Sequence, residues 1–456
     1  MNTREIILDI LLELSRTGEY SHLLVANVLR KYDYLDSRDK AFIKRVTEGT
    51  IEQRILIDYM LDQVSNIPVR KMKLLIRELL RMSAYQILEM EGVPDAAVCN
   101  EAVKLAGKRK FRSLQGFVNG VLRNLSRKKG QLSYPDKEDT SAYLSVRYSM
   151  PGWLTKYFLE CYGEETTTRM LQAFLQNAPV TLRLEEDITE EKKKKLFTSW
   201  QNKGVRLGIH PYLPYAVTVE KTEGIHHLAG YEEGIFSVQD VSSMLVTEAA
   251  GLQAGWTIVD ICAAPGGKSL HAASKLKGTG QVYSFDLSEE KVDRMEENRR
   301  RMKKENMITA VQDARIVRND LAGKADVVIA DVPCSGLGVI GKKQDIKYRI
   351  TEHSISELNI LQKAILQSAA AYLKPGGLLM YSTCTISRRE NEQMVKWLCE
   401  NFDFEPEDMS PYLPDNLPKD IKQESVCGML QLLPGIHKTD GFFLARLRKR
   451  EKVDIL

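Results

Sequence analysis

The sequence predicts a multi-domain protein: an all-α amino-terminal domain, a small α+β subdomain, and an α/β domain of Rossmann-like type built on a mainly parallel sheet. Three features point that way. At 456 residues the chain is longer than one ordinary core can use. Apolar residues recur at helical spacing between Met1 and Gly130, and strands alternate with helices after Phe236.

The helical reading of 1–130 rests on two stripes. Met72, Leu75, Ile76, Leu79, Leu80 and Ile87 recur at the spacing of successive helical turns, and Phe117, Val121, Leu122 and Leu125 repeat the pattern, as core-facing helix surfaces do. The same stretch carries 23 Lys/Arg against 16 Asp/Glu, whereas the remainder is slightly acidic. Between Glu101 and Gly130 stand nine basic residues and one acid, including Lys108-Arg109-Lys110, Arg112 and Arg127-Lys128-Lys129. Such a surface is expected either to hold phosphates by a salt-sensitive, sequence-independent attraction or to be a solvated helix face. Residues 131–144, with the turn signal Tyr134-Pro135-Asp136, are expected to be a linker.

Residues 145–235 read as a short α+β subdomain, with strands at Pro179–Leu184 and Ala216–Glu220 around a charged helix at Thr189–Asn202. From 236 to 456 the alternation sets in. Strands are predicted at Thr257–Cys262, Gln281–Asp286, Ile308–Asp313, Ala325–Val332 and Leu378–Ser382, with helices at Ser269–Leu276 and Glu289–Lys304. A parallel sheet covered on both faces binds its ligands at the carboxyl ends of its strands.

The first of those ends runs into Cys262-Ala263-Ala264-Pro265-Gly266-Gly267-Lys268. Small residues there let the backbone approach a ligand, and the helix that follows supplies free amides. A phosphate-binding P-loop would need a glycine where Cys262 stands, which disfavours an NTPase, and the dinucleotide pattern G-x-G-x-x-G is missing. An acid closing the second strand is expected to hold ribose hydroxyls, and Asp286 stands at that point, at the customary separation from the glycine loop. Asp313 stands at the third strand end, where it could take an adenine amino group. The expected cofactor is therefore S-adenosylmethionine.

The fourth strand leads into Asp331-Val332-Pro333-Cys334-Ser335-Gly336-Leu337-Gly338 and the fifth into Ser382-Thr383-Cys384-Thr385. Neighbouring parallel strands lie about 4.8 Å apart, so both thiols could reach one substrate. Two thiols beside a methyl donor imply methylation at carbon. A thiolate adding at carbon 6 of cytosine makes carbon 5 enamine-like, and Asp331 could hydrogen-bond the ring edge or amino group. Sequence position does not say which cysteine attacks. Lys268 is expected to orient Asp331 or a cofactor carboxylate. Cys99, Cys161, Cys399 and Cys427 are expected to be small buried hydrophobes, and the seven histidines suggest no ligand set. Without paired-spacing cysteines or C-x-x-C, the thiols are expected to be reduced, with no metal, in a cytoplasmic protein. The start is interrupted by Asp9 and Glu13, unlike a signal peptide or membrane span.

Those three motifs resemble the Fmu/Sun RNA cytosine-C5 methyltransferases, as does Phe236-Ser237-Val238-Gln239-Asp240-Val241-Ser242-Ser243. The resemblance covers about residues 145–450. Ser37-Arg38-Asp39-Lys40-Ala41-Phe42 and Phe117-Val118-Asn119-Gly120-Val121-Leu122-Arg123 are similar to a NusB-type RNA-binding domain. The pairing implies a monomeric member acting on small-subunit (16S) ribosomal RNA, naked or partly assembled. It implies Cys384 as nucleophile, Cys334 as the group that helps release the product, and residues 262–268, Asp286, Asp313 and Asp331 as the cofactor lining. The rival readings are the same chemistry on tRNA and a non-enzymatic RNA-binding assembly factor. The latter would predict a damaged loop or a missing thiol. A DNA cytosine enzyme would share the Pro-Cys site but not the second thiol.

Overall fold

The computed structural model describes residues 2–176, 178–222 and 224–451. It divides into two compact units, Met1–Gln176 with Ile340–Arg349, and Asn177–Val339 with Ile350–Leu456.

The first unit is helical. Its helices are Thr3–Thr17, Ser21–Lys31, Ser37–Glu52, Arg54–Asp62, Leu74–Glu89, Asp95–Lys108, Gln115–Lys128, Thr140–Arg147 and Gly152–Phe174. Side chains stop the ends where the sequence offers them: Asn2 accepts from the Arg4 amide and Asp36 from the Asp39 amide. The predicted stripes face inward, with Ile76, Leu79, Leu80, Ile87, Val121, Leu122 and Leu125 all buried. Gly49 permits a close helix contact, because a Cβ there would fall 2.1 Å from the Tyr85 ring. The segment Ile340–Arg349 joins this unit although it follows the Pro-Cys loop in sequence.

The second unit holds two sheets. The small one is antiparallel and consists of β1 Val180–Leu184, β2 Arg206–Ile209, β3 Ala216–Glu220 and β4 Phe236–Val238, in the order β2-β3-β1-β4. Helix Glu190–Asn202 packs on it through the fully buried Trp200.

The large sheet has a parallel part made of β5 Thr257–Asp260, β6 Gln281–Asp286, β7 Met307–Val311, β8 Ala325–Asp331 and β9 Leu373–Thr383. The chain returns through β10 Phe404–Pro406, β11 Met429–Leu432 and β12 Phe442–Lys449, antiparallel strands that the alternation pattern did not predict. The strand order is β10-β12-β9-β8-β5-β6-β7, with β11 paired to β12. β12 is buried on both faces, so its apolar run Phe442-Phe443-Leu444-Ala445 lacks the period-two signal of a half-exposed strand. The sheet order puts β8 between β5 and β9, which brings the ends of those three strands together.

Candidate active site at the strand ends

The turn after β5 is shaped by its backbone. Gly266, at φ +101°, makes the left-handed turn into helix Gly267–Lys275, whose first amides have no helical partner of their own. Asp286, at the end of β6, fixes this loop: its Oδ2 accepts from the Ala264 amide at 3.0 Å and its Oδ1 from the Leu287 amide at 2.8 Å. Lys291 Nζ is 2.9 Å from that same Oδ1, on a half-exposed side chain. A carboxylate has about four acceptor positions, so Asp286 can still accept from a hydroxyl, and from a second if Lys291 turns outward. Gln239, of the segment before the α/β alternation, lies where a side chain added at Gly267 would touch it. Small backbone, open helix amides and an acid with spare acceptor capacity fit a nucleoside-type cofactor.

Asp313 sits differently. β7 ends at Val311, and the Asp313 carboxylate just beyond it is held by Arg315, whose guanidinium approaches to 2.6 Å and whose amide donates at 2.9 Å. These contacts hold it below the usual carboxylate range. It neighbours Gln312, whose amide donates to the Asp286 carbonyl at 2.9 Å, so it remains beside the β6 end.

Lys268 and Asp331 meet as a pair. Lys268 Nζ is 2.5 Å from Asp331 Oδ2, while Ser382 Oγ donates to Oδ1 at 2.8 Å. The lysine lies over the Phe442 ring, 5.3 Å from its centre. Beneath them Asp260 is fully buried, and burial pushes its carboxyl up to about 7 despite a 2.7 Å bond from Ser269 Oγ. Burial, with Asp260 and Asp286 near, pushes the Cys262 thiol up, so that cysteine shapes the loop as a neutral group.

The two motif cysteines come together as predicted from strand adjacency, with Cys334 Sγ 3.4 Å from Cys384 Sγ. Contact with Cys384, burial and the charge of Glu390 raise the Cys334 thiol well above its ordinary value. Of the other cysteines Cys99 is buried, but Cys427 is exposed, on the turn after helix Lys419–Val426 rather than in the core as expected.

What holds the cysteine loops was not read from the sequence. The fully buried Glu390 carboxylate accepts from the Ser335 amide at 2.8 Å, from Ser335 Oγ at 2.5 Å and from Gln362 Nε2 at 3.1 Å. Ser335 Oγ also lies 2.7 Å from Thr385 Oγ1, joining the residues that follow the two cysteines. Asn391 takes a 2.7 Å bond from Thr383 Oγ1 and gives one to the Thr385 carbonyl at 3.0 Å. Gly338 completes the enclosure, since a Cβ on it would lie 1.9 Å from the Gly441 carbonyl oxygen. The signal available was the polar run Glu390-Asn391-Glu392, shortly after Cys384 at the start of an otherwise apolar-faced helix.

Histidines do enter a cluster. Ligand-type atoms of His271, Glu186 and Glu248 lie within 4.8 Å of one another, but Lys275 Nζ already stands 2.7 Å from both carboxylates and balances their charge.

Comparison with known proteins gives two family matches. Residues 249–448 match the family described as 16S rRNA methyltransferase RsmB/F, and residues 1–127 match the NusB family. The probable ribosomal RNA small subunit methyltransferase B of Bacillus subtilis is 34% identical over 98% of this chain and 99% of its own. The crystal structure of PH0851 superposes with a TM-score of 0.79 over 98% of this chain and 99% of its own, at 23% identity. A methyltransferase homolog protein from Pyrococcus horikoshii reaches a TM-score of 0.55 at 25% identity, covering 68% of this chain and 99% of its own.

Proposed function

Starting from the fact that this chain belongs to the RsmB/F family of ribosomal RNA methyltransferases and carries a NusB-like domain, we propose that it methylates carbon 5 of a cytosine in 16S rRNA. The observation that carries this reading is the pair of thiols 3.4 Å apart at adjoining strand ends. A methyl transfer to a base nitrogen or ribose oxygen would use neither.

The cofactor in this reading is S-adenosylmethionine, which would supply an electrophilic methyl group. Residues 262–268 would give it backbone amides, Asp286 would accept from its ribose, and Asp313 would stand beside the adenine. The Lys268–Asp331 pair would face the reacting centre. Asp331, turned to the cytosine, would accept from the amino group or stabilise charge at nitrogen 3, while Lys268 and Ser382 keep its carboxylate oriented.

Cys384 as thiolate would form a bond to carbon 6, and the electron pair would move to carbon 5, which takes the methyl group. The proton on carbon 5 would then leave, the sulfur–carbon 6 bond would break, and the thiolate would be restored. Cys334, whose thiol is raised above its ordinary value by contact with Cys384 and by burial, would handle the proton in this reading. Residues 1–130 would hold the RNA together with 145–235, of which 145–176 group with the helical unit rather than standing beyond a linker and the remainder carries the small sheet. The enzyme would act as a monomer on naked or partly assembled rRNA in the cytoplasm. Among the described residues no helix is long and apolar enough to cross a membrane.

Bisulfite mapping of total RNA from cells with and without the gene tests this reading. Loss of one protected cytosine in 16S rRNA is the expected result. Loss in tRNA alone would reassign the substrate, and no change would leave an RNA-binding assembly factor.

A further inference from the structure

The helical unit contains a cavity of about 260 Å³ whose wall is shared by Ser21, Arg54, Glu78, Arg81, Tyr348 and Arg349. All of these belong to that unit. Two of its three arginines are neutralised. Arg81 pairs with Asp58 at 2.6 Å and Glu78 at 2.7 Å, and Arg349 pairs with Asp345 at 2.8 Å. The Asp345 carboxylate also takes the Ser21 amide and hydroxyl.

Arg54 is the exception. It has no ion pair and no hydrogen bond among the described residues, and lies against the face of Tyr348, 3.7 Å from the ring centre. Tyr348 is fixed beneath it by its hydroxyl, 3.2 Å from both the Glu52 carbonyl and Ser149 Oγ. Burial and the neighbouring Arg81 work against the Arg54 charge, and Tyr348, Asp58 and Glu78 offset this only in part. A guanidinium does not escape such a site by losing its proton, so it needs an anion. Stacking leaves its edge free to donate two parallel hydrogen bonds, the geometry that suits a phosphate oxygen pair.

We propose that this cavity is an oxyanion site that receives a phosphodiester of the RNA, with Arg54 as the group that contacts it. The site rests on the reading of RNA as the substrate but not on the chemistry at the two thiols. It lies in the domain already expected to hold RNA and adds a defined contact, distinct from the lysines and arginines of 101–130.

The test uses the full-length protein and a labelled 16S rRNA transcript, with binding followed by anisotropy over a series of salt concentrations. Arg54→Met should weaken binding about tenfold at low salt and make the slope of log K against log salt shallower by about one, the signature of one lost phosphate contact. Arg54→Lys should keep the slope and recover part of the affinity. Melting temperature should not fall in Arg54→Met, because an unpaired cation has been removed. Unchanged affinity and slope overturn the site. A lower melting temperature restored by lysine overturns it too, since Arg54 would then be structural. Orthophosphate that raises the melting temperature of the wild type but not of Arg54→Met, with the RNA slope unaltered, would assign the cavity to a free anion and overturn the RNA contact. Arg54-dependent RNA binding in a protein that methylates no cytosine would keep the site and remove the proposed chemistry.

Discussion

The glycine loop after β5 and the cysteine loops lie at neighbouring strand ends, yet they are held in different ways. Residues 261–268 are shaped by their own backbone, with a left-handed glycine, a helix start and an amide bonded to the aspartate that closes the next strand. The loops after β8 and β9 are shaped by side chains from elsewhere in the chain: Gln362, Glu390 and Asn391. The glycine loop is built largely from what is missing, side chains, whereas the meeting of the two thiols is built from a buried polar network.

The contrast is broken most directly at the thiols. Cys384→Ala should reduce methyl transfer to background and give no protein–RNA adduct on a denaturing gel. Cys334→Ala should still permit attack by Cys384 and methyl transfer to carbon 5, so the adduct, whose carbon 5 proton leaves slowly, should accumulate. The reverse pattern would make Cys334 the nucleophile.

Removing the clamp is expected to matter next. Glu390→Ala leaves the Ser335 amide and Gln362 without their buried acceptor, at a cost of about 1–3 kcal/mol in stability per stranded group, read by melting. It should also lower kcat with little change in the KM for cofactor. A proportional loss of cofactor affinity would mean that the two loops are not held independently.

On the cofactor side, Asp286→Ala should weaken S-adenosylmethionine by roughly 1.5–3 kcal/mol, because hydroxyls lose a charged acceptor. Titration calorimetry gives the value directly. Asp313→Ala should cost less, since Arg315 already occupies that carboxylate. Equal losses at the two positions would show that Arg315 lets go when the cofactor binds.

The smallest effect is one of pH. The carboxyl of Asp260 is pushed up to about 7, above its ordinary range of about 4, so the folded state holds a proton that the unfolded chain has lost. Its contribution to stability is complete below about pH 4 and is lost as pH rises through about 7. Asp260→Asn should therefore flatten the fall in melting temperature between about pH 4 and pH 7. An unchanged slope would place the proton elsewhere.

These differences also explain what could be read from the sequence. The loop 262–268, Asp286 and the adjoining cysteines were legible because each is local: a glycine pair, an acid at a strand end, a Pro-Cys. The parallel part of the sheet followed from alternation, and with it the meeting of the two cysteine loops. Glu390, Asn391 and Gln362 were not legible because their role exists only once distant parts of the chain have been brought in, Ser335 and Pro333 among them. Arg54 was hidden for the same reason, since what marks it is a guanidinium stacked on Tyr348 with no ion pair or hydrogen bond among the described residues. The antiparallel return through β12 was missed because a strand covered on both faces carries no alternation. Residue type alone puts Cys427 in the core, and type does not decide the burial of a single turn residue.

The segment Ile340–Arg349 bears on how such a protein can be taken apart or recombined. It belongs by contact to the helical unit, but it is encoded within the catalytic half. A fragment cut after Gln176 would leave behind the lysine that bonds the Glu52 carbonyl and the aspartate that bonds Ser21. An enzyme lacking everything up to Gln176 would expose Ile340 and Ile346, both buried in the intact chain. The helical unit is thus not a segment that could be exchanged for another by joining chains end to end. Any transplant has to carry Ile340–Arg349 of its neighbour with it, and the two halves are constrained to change together.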